Sequence, residues 1–323
     1  MFSFMIYSLI QNKENVIAII DNNKLLVASP NNGIYSSVAP YTSWTTEISN
    51  GTYWCGCAIS GSNMIACGFF GDVWANLGSG WVKQSGTAPF SSYQAYFIVG
   101  ISGTNMIACN AYGSVFANIT GSWVEQTSIP TSGTWSYVAI SGTNMIAAQQ
   151  GVQIFYNLTG TWVSAGLPAY NWRSVGISGT NMIAASDNGG VWTNFGSGWV
   201  QETLSISSTW VGVSISNKYM LANASNGSVW LNFGNGWIDQ TAYGITSGYL
   251  YGGCGLSNKS AIVVTSDTKQ IYTLINTIQS DGEITASTLS GLAYIDVSGV
   301  GKGSSGQVLT SGGSSTDISW NYI

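Results

Sequence analysis

The stretch ISGTNMIA occurs at 101–108, at 140–147 and at 177–184, and a near copy, ISGSNMIA, at 59–66. Aligning the chain on it places the serine or its equivalent at Asp21, Ser60, Ser102, Ser141, Ser178, Ser216 and Ser257. The successive spacings are 39, 42, 39, 37, 38 and 41 residues. Seven copies at this period signal a propeller or a solenoid. Within a copy the apolar runs are short and separated by Gly, Asn and Ser. In the fourth they are WSYVAI (135–140), MIAA (145–148), QIFYN (153–157) and TWVS (161–164). Such runs are strands. No segment keeps a helical period, which excludes a solenoid of helix pairs. The expected fold is all-β, a seven-bladed β-propeller of four-stranded blades. The SGTN segment reads as the turn between first and second strands, with Gly and Asn accepting positive φ. The Met-Ile-Ala that follows reads as a second strand packed between neighbouring blades.

The seventh copy has AIVVTSD and QIYTLIN but no later G-x-W strand. The N-terminal FSFMIYSL is expected to supply that strand and close the ring, which removes two open edges. Residues 1–280 are then the propeller. Residues 281–323 form a short C-terminal appendage of strand and irregular structure, for attachment or oligomerisation.

Composition narrows the function. Of 323 residues only 7% are charged, 45% are hydrophobic, and the net charge is −5. The eight basic residues are scattered, which excludes nucleic-acid binding by phosphate neutralisation. No stretch approaches transmembrane length, so no membrane insertion is expected. The first residues lack the basic and small-residue flanks of a signal peptide. There is no histidine, so a Ser-His-Asp triad is impossible. The cysteines Cys55, Cys57, Cys67, Cys109 and Cys254 fit no zinc spacing. Neither metal nor cofactor is expected. Cys67 and Cys109 stand where Ala148 and Ala185 stand in other copies, and read as small buried residues. Cys55 and Cys57, two apart on one strand, share a face and leave a redox pairing open.

A second motif lies between third and fourth strands: NLGSGW (76–81), NITGSW (118–123), NLTGTW (157–162), NFGSGW (194–199) and NFGNGW (232–237). It resembles the Asp-box, or BNR, repeat of sialidase-like propellers, with Asn where that family has Ser-x-Asp. The resemblance implies the fold and makes the tryptophans wedges between blades. It does not imply the activity: sialidases need an arginine cluster for the substrate carboxylate, and this chain has one arginine, Arg173. Glycoside hydrolysis needs two carboxylates close together. Asp72 and Asp187 lie in loops of different blades, and Glu125, Glu202 and Asp239 read as repeat-surface residues. No catalytic residue is expected, and a glycosidase is the least favoured reading.

The turns at one end of the blades barely change between copies, whereas the loops between second and third strands do: CGFFGDV, CNAYGSV, AQQGVQI, ASDNGGV, ANASNGSV. Such variation marks the face free to specialise. Six residues before each register serine stand Trp54, Tyr96, Trp135, Trp172, Trp210 and Tyr251. These rings either line the channel mouth, where with Arg173 they would bind sugar, or cap the core of their blade.

The segment GKGSSGQVLTSGGSSTDISW (301–320) resembles a stretch of phage tail fibres and of fibre-like proteins of large DNA viruses. By that resemblance Val308, Leu309 and Trp320 pack against partner chains, in a trimer or on another virion protein. The expected protein is a virion surface or tail-fibre component whose head binds host-surface glycans or other virion proteins. The alternative is a non-viral secreted or cytosolic lectin, to which the sequons at Asn50, Asn118, Asn157, Asn223, Asn226 and Asn258 are compatible.

Overall fold

A computed structural model describes residues 17–21, 24–29, 33–38, 43–49, 53–68, 72–84, 96–110, 113–131, 133–204, 209–239, 254–256, 260–264, 271–275, 307–311 and 318–322. Among these there is no helix. The strands form six four-stranded antiparallel sheets, each with its strands in chain order, then a three-stranded sheet and a two-stranded hairpin. The six are the blades of a β-propeller. Their first strands are Ile17–Asp21, Trp54–Ser60, Tyr96–Ser102, Trp135–Ser141, Trp172–Ser178 and Trp210–Ser216. The expectation of seven four-stranded blades is therefore corrected. The seventh sheet has three strands, Cys254–Leu256, Ser260–Val264 and Ile271–Ile275, because the chain beyond Ile275 carries no G-x-W strand. The segment 1–10, expected to close it, lies outside the described residues. Each first strand lies beside that of the next module, and Cys254–Leu256 lies beside both Trp210–Ser216 and Ile17–Asp21.

The chain divides into two compact units, residues 3–278 and residues 1–2 with 279–323. In the second, Gln307–Ser311 pairs antiparallel with Ile318–Tyr322, setting Leu309 opposite Trp320.

The repeated Met-Ile-Ala is buried throughout because both faces of its sheet are covered. Met64 and Ala66 join a cluster with Leu26, Ile34 and Trp54, whereas Ile65 and Cys67 join another with Val99, Met106 and Phe116. Successive residues face successive neighbours, as strand geometry requires. The same split recurs along the chain, so the core is a series of slabs between modules, not one centre.

Hydrogen bonds between modules fasten the slabs. In the repeated SGTN the serine accepts from the backbone N–H of the following module's turn: Gly103 N to Ser60 Oγ is 3.0 Å, and Gly142 N to Ser102 Oγ, Gly179 N to Ser141 Oγ and Asn217 N to Ser178 Oγ are each 2.8 Å. Asp21 serves Gly61 in the same way. The asparagine donates to the carbonyl of the same residue: Asn63 Nδ2 to Gly103 O, Asn105 Nδ2 to Gly142 O and Asn144 Nδ2 to Gly179 O are 2.9 Å. One turn thus grips both polar groups of one residue next door. The expectation that this Asn relieves turn strain is corrected. Positive φ falls on the glycine (Gly61, Gly103, Gly142 and Gly179, +60 to +61°), and in the sixth module on Asn217 at +56°. The Asn opens the second strand instead.

The fourth-strand tryptophans form a second fastening. Trp81 Nε1 donates to Glu47 Oε2 (3.0 Å), Trp123 Nε1 to Gln84 Oε1 (3.5 Å), Trp162 Nε1 to Gln126 Oε1 (3.0 Å) and Trp237 Nε1 to Glu202 Oε2 (2.9 Å). Each acceptor stands three residues after the fourth-strand tryptophan of the preceding module, counting from Trp44, Trp81, Trp123 and Trp199. The exception is the fourth module, where that place is Ala165, and there the buried N–H of Trp199 has no partner. Glu202 is thus a fastening between modules and not the surface residue expected.

Candidate functional site: the variable face

Antiparallel order puts the SGTN turns and the N-x-G-x-G-W turns at one end of the blades. The loops between second and third strands lie at the other end. At the first end many polar side chains are engaged. Its Ser and Asn side chains are taken up between modules, and the Asn of the second motif caps its own turn, as in Gly78 N to Asn76 Oδ1 (3.0 Å) and Gly196 N to Asn194 Oδ1 (2.8 Å).

The candidate site is the loop end. The loop of the fourth module is tied to the link that enters the fifth, Gly151 N donating to Tyr170 O (3.1 Å), and the two first strands are joined by Ser136 Oγ donating to Trp172 O (2.9 Å). The link 209 and the loop at 225 of one module are joined by Ser225 N to Thr209 O (2.8 Å). In every first strand from the second to the sixth module, a bulge follows the opening aromatic. The inserted residue is Cys55, Phe97, Ser136, Arg173 or Val211. A bulge re-aims side chains and marks strand ends near sites.

Of the two readings of the opening aromatics, the four tryptophans follow the second. Trp54, Trp135 and Trp172 are 0% exposed and Trp210 is 3% exposed. They cap the slabs, as one of the two readings had it. The N–H groups of the first three meet no acceptor among the described residues. Tyr96 opens its first strand, with its side chain outside the described residues, as Tyr251 is entirely. Val308 and Leu309 lie on one strand of the C-terminal hairpin and Trp320 on the other, their side chains likewise not described.

Arg173 is the candidate that does reach the surface. Its side chain is 47% exposed and grips Asp187 in a fork, Nε to Oδ1 at 2.6 Å and NH2 to Oδ2 at 2.7 Å. Bidentate geometry of this kind fixes the planar guanidinium. It stands beside the loop at 186–190, where Gly189 N donates to Ser186 Oγ (2.7 Å) and Trp192 Nε1 to Gly189 O (2.6 Å). Sequence reasoning named Arg173 and Asp187 separately and missed their pairing. Only the register of the fifth module, which sets Trp172 opposite Ser186, brings them together.

Other carboxylates among the described residues are engaged as well. Asp72 pairs with Lys83 (2.6 Å), Glu125 accepts from Ser114 Oγ (2.6 Å) and Glu202 from Thr193 Oγ1 (2.6 Å). Glu47 is pushed upward by burial. Hydrogen bonds from Ser36 and Trp81 and the charge of Lys24 outweigh this and hold it below the ordinary carboxylate value. Burial pushes the Tyr137 hydroxyl and the Cys57 thiol each up to about 12. Among the described residues no three His, Cys, Asp or Glu side chains come together as metal ligands.

No model of a protein family matches this chain, and no curated protein does. Solved structures do. The WD40 β-propeller domain of Doa1 superposes with a TM-score of 0.65 at 13% identity, covering 84% of this chain and 95% of that one. The β-propeller domain of Myceliophteria thermophila Cps50 (Swd1) gives 0.65 at 9% identity, over 85% and 99%. YCF48 bound to D1 peptide gives 0.61 at 10% identity, over 82% and 94%. At these identities the likeness is one of fold.

Proposed function

We propose that this chain is a virion surface or tail-fibre structural protein without enzymatic activity. Its propeller is the display head. Its variable face binds other virion proteins or host-surface glycans, and residues 281–323 attach it or associate it with further copies. The observation that carries this reading is the contrast between the two ends of the blades. One end uses its polar side chains to hold modules together. The other offers loops of differing sequence on the same rigid frame, which is the arrangement of a display head.

The burial of the tryptophans moves the contacts onto the loops themselves: Arg173 with Asp187, and the exposed loop 150–152. A neutral polar face of this kind suits many weak contacts strengthened by copy number. That YCF48, a propeller of similar shape, is bound to a peptide supports a protein partner as much as a sugar. The fibre resemblance of 301–320 supports the virion over the alternative, a secreted lectin.

The test is to probe purified virion proteins and a glycan array with the full chain, and with a chain whose loop 186–190 is replaced by that of the second module. Binding lost in the loop variant and kept when the SGTN turns are changed is the expected result. Binding to neither probe set, or equal binding by both chains, contradicts it. Mass spectrometry of purified particles locates the protein independently.

A further inference from the structure

The sequence puts Cys55 and Cys57 on one face of a strand, but the bulge after Trp54 turns them apart. Cys57 packs with the cluster facing the first module, its thiol toward Leu26 O at 3.8 Å. Cys55 packs with the cluster facing the third module, beside Cys67 of the adjacent strand. There Cys55 Sγ lies 3.8 Å from Cys67 Sγ and 3.5 Å from Cys67 O. Cys109 is turned elsewhere, toward Trp135 O at 3.9 Å. All five cysteines are thiols.

Packing does not demand this pair. The place of Cys67 is filled by Ala148 and Ala185 in the fourth and fifth modules, and that of Cys55 by Ser136 and Arg173. Only the second module sets sulfur at both. The two residues sit on hydrogen-bonded neighbouring strands, with their sulfurs 3.8 Å apart, against a disulfide bond of about 2.05 Å.

We propose that Cys55 and Cys67 are a modification site, a thiol pair that a low-molecular-weight disulfide converts into a cross-strand disulfide within the second module. This stands independently of the proposed function. Cys55, half-buried at the bulge, is the thiol an oxidant can meet. Its thiolate attacks one sulfur of the small disulfide RSSR and expels RS⁻, leaving a mixed disulfide. Cys67 then attacks the Cys55 sulfur, the S–S bond between Cys55 and Cys67 forms, and the second RS⁻ departs. The two protein thiols lose two electrons and two protons, and the small disulfide ends as two molecules of RSH. Burial first, and then the neighbouring Cys55, hold the Cys67 thiol far above its ordinary range, so Cys55 attacks the small disulfide first and Cys67 gives up its proton only as it attacks the mixed disulfide beside it.

The experiment treats the folded full chain with glutathione disulfide, alkylates the remaining thiols under denaturing conditions and maps peptides without reduction. The expected result is one bridge, Cys55–Cys67, with three of the five thiols still alkylated. Dithiothreitol should reverse it, and the oxidised chain should melt at higher temperature. Cys55→Ser and Cys67→Ala abolish the bridge, and both copy residues that sister modules already tolerate. Cys57→Ala and Cys109→Ala keep it. All five thiols alkylated after treatment, a lasting mixed disulfide at Cys55, or a bridge to Cys57 or Cys109 would each overturn the proposal.

Discussion

Replacing Gln126 by alanine tests the tryptophan fastening at one joint. Trp162 is 6% exposed, and its N–H lies 3.0 Å from Gln126 Oε1. Truncation removes that acceptor and leaves a part-buried donor unpaired. The lost bond is worth ~1 kcal/mol, and an N–H that stays buried and unpaired costs ~1–3 kcal/mol in desolvation. Relief by a little local opening sets the expectation at ~1–2 kcal/mol, a fall of roughly 2–4 °C in melting temperature per kcal/mol for a chain of this order of size. Gln126→Glu is the control, because Glu47 and Glu202 perform the same task in sister modules. The assay is thermal and urea unfolding of the three chains side by side. Gln126→Ala below wild type with Gln126→Glu near it is the expected order. If both variants fall equally, or neither moves, the indole bond is not what holds this joint.

Further outcomes follow from the same geometry. The fourth module lacks the acceptor, and Tyr156 stands where the third module has Ala117. Tyr156→Ala with Ala165→Gln copies the third module and gives the orphaned Trp199 N–H a partner. The double variant should unfold at a higher urea concentration than Tyr156→Ala alone. Ile146, 0% exposed between two modules, should cost ~2–5 kcal/mol on truncation to alanine by the usual cavity cost. Glu47 has its carboxyl held below the ordinary value of 4.5. Its contribution is therefore full above that value and is lost as pH falls through the lower folded value. The stability gap between wild type and Glu47→Gln should then be present at neutral pH and shrink in acid denaturation series. Expression through a glycosylating secretory route should modify Asn226, which is exposed, and spare Asn118, Asn157 and Asn223, which are buried; glycopeptide mapping reads this directly.

The fold was legible in the repeat because every module meets the same two neighbours, so the same residues recur. Met64, Ile65 and Ala66 could be read as one buried strand on that ground alone. What the repeat did not reveal was the partner of each polar residue. The Ser and Asn of SGTN look like turn formers in one module, and their true acceptors and donors lie some forty residues on, in the next. The opening tryptophans left two readings open for a related reason. An aromatic at a strand end suits a binding rim and a core cap equally, and only burial separates the two. Cys55 was placed on the wrong face because a bulge, which leaves no mark in the alternation, shifts the register by one. The count of strands in the seventh sheet was set by the missing G-x-W and not by its repeat spacing.

The most direct measurement is residue-resolved amide exchange in the wild-type chain and in Ser102→Ala and Ser141→Ala. If the repeated turn is a clasp between modules, the Gly142 and Gly179 amides exchange slowly although their residues are exposed. Ser102→Ala then speeds Gly142 alone and Ser141→Ala speeds Gly179 alone, by roughly five- to tenfold for a bond worth ~1 kcal/mol. Fast exchange of both amides in the wild type, or no change in either variant, would contradict it.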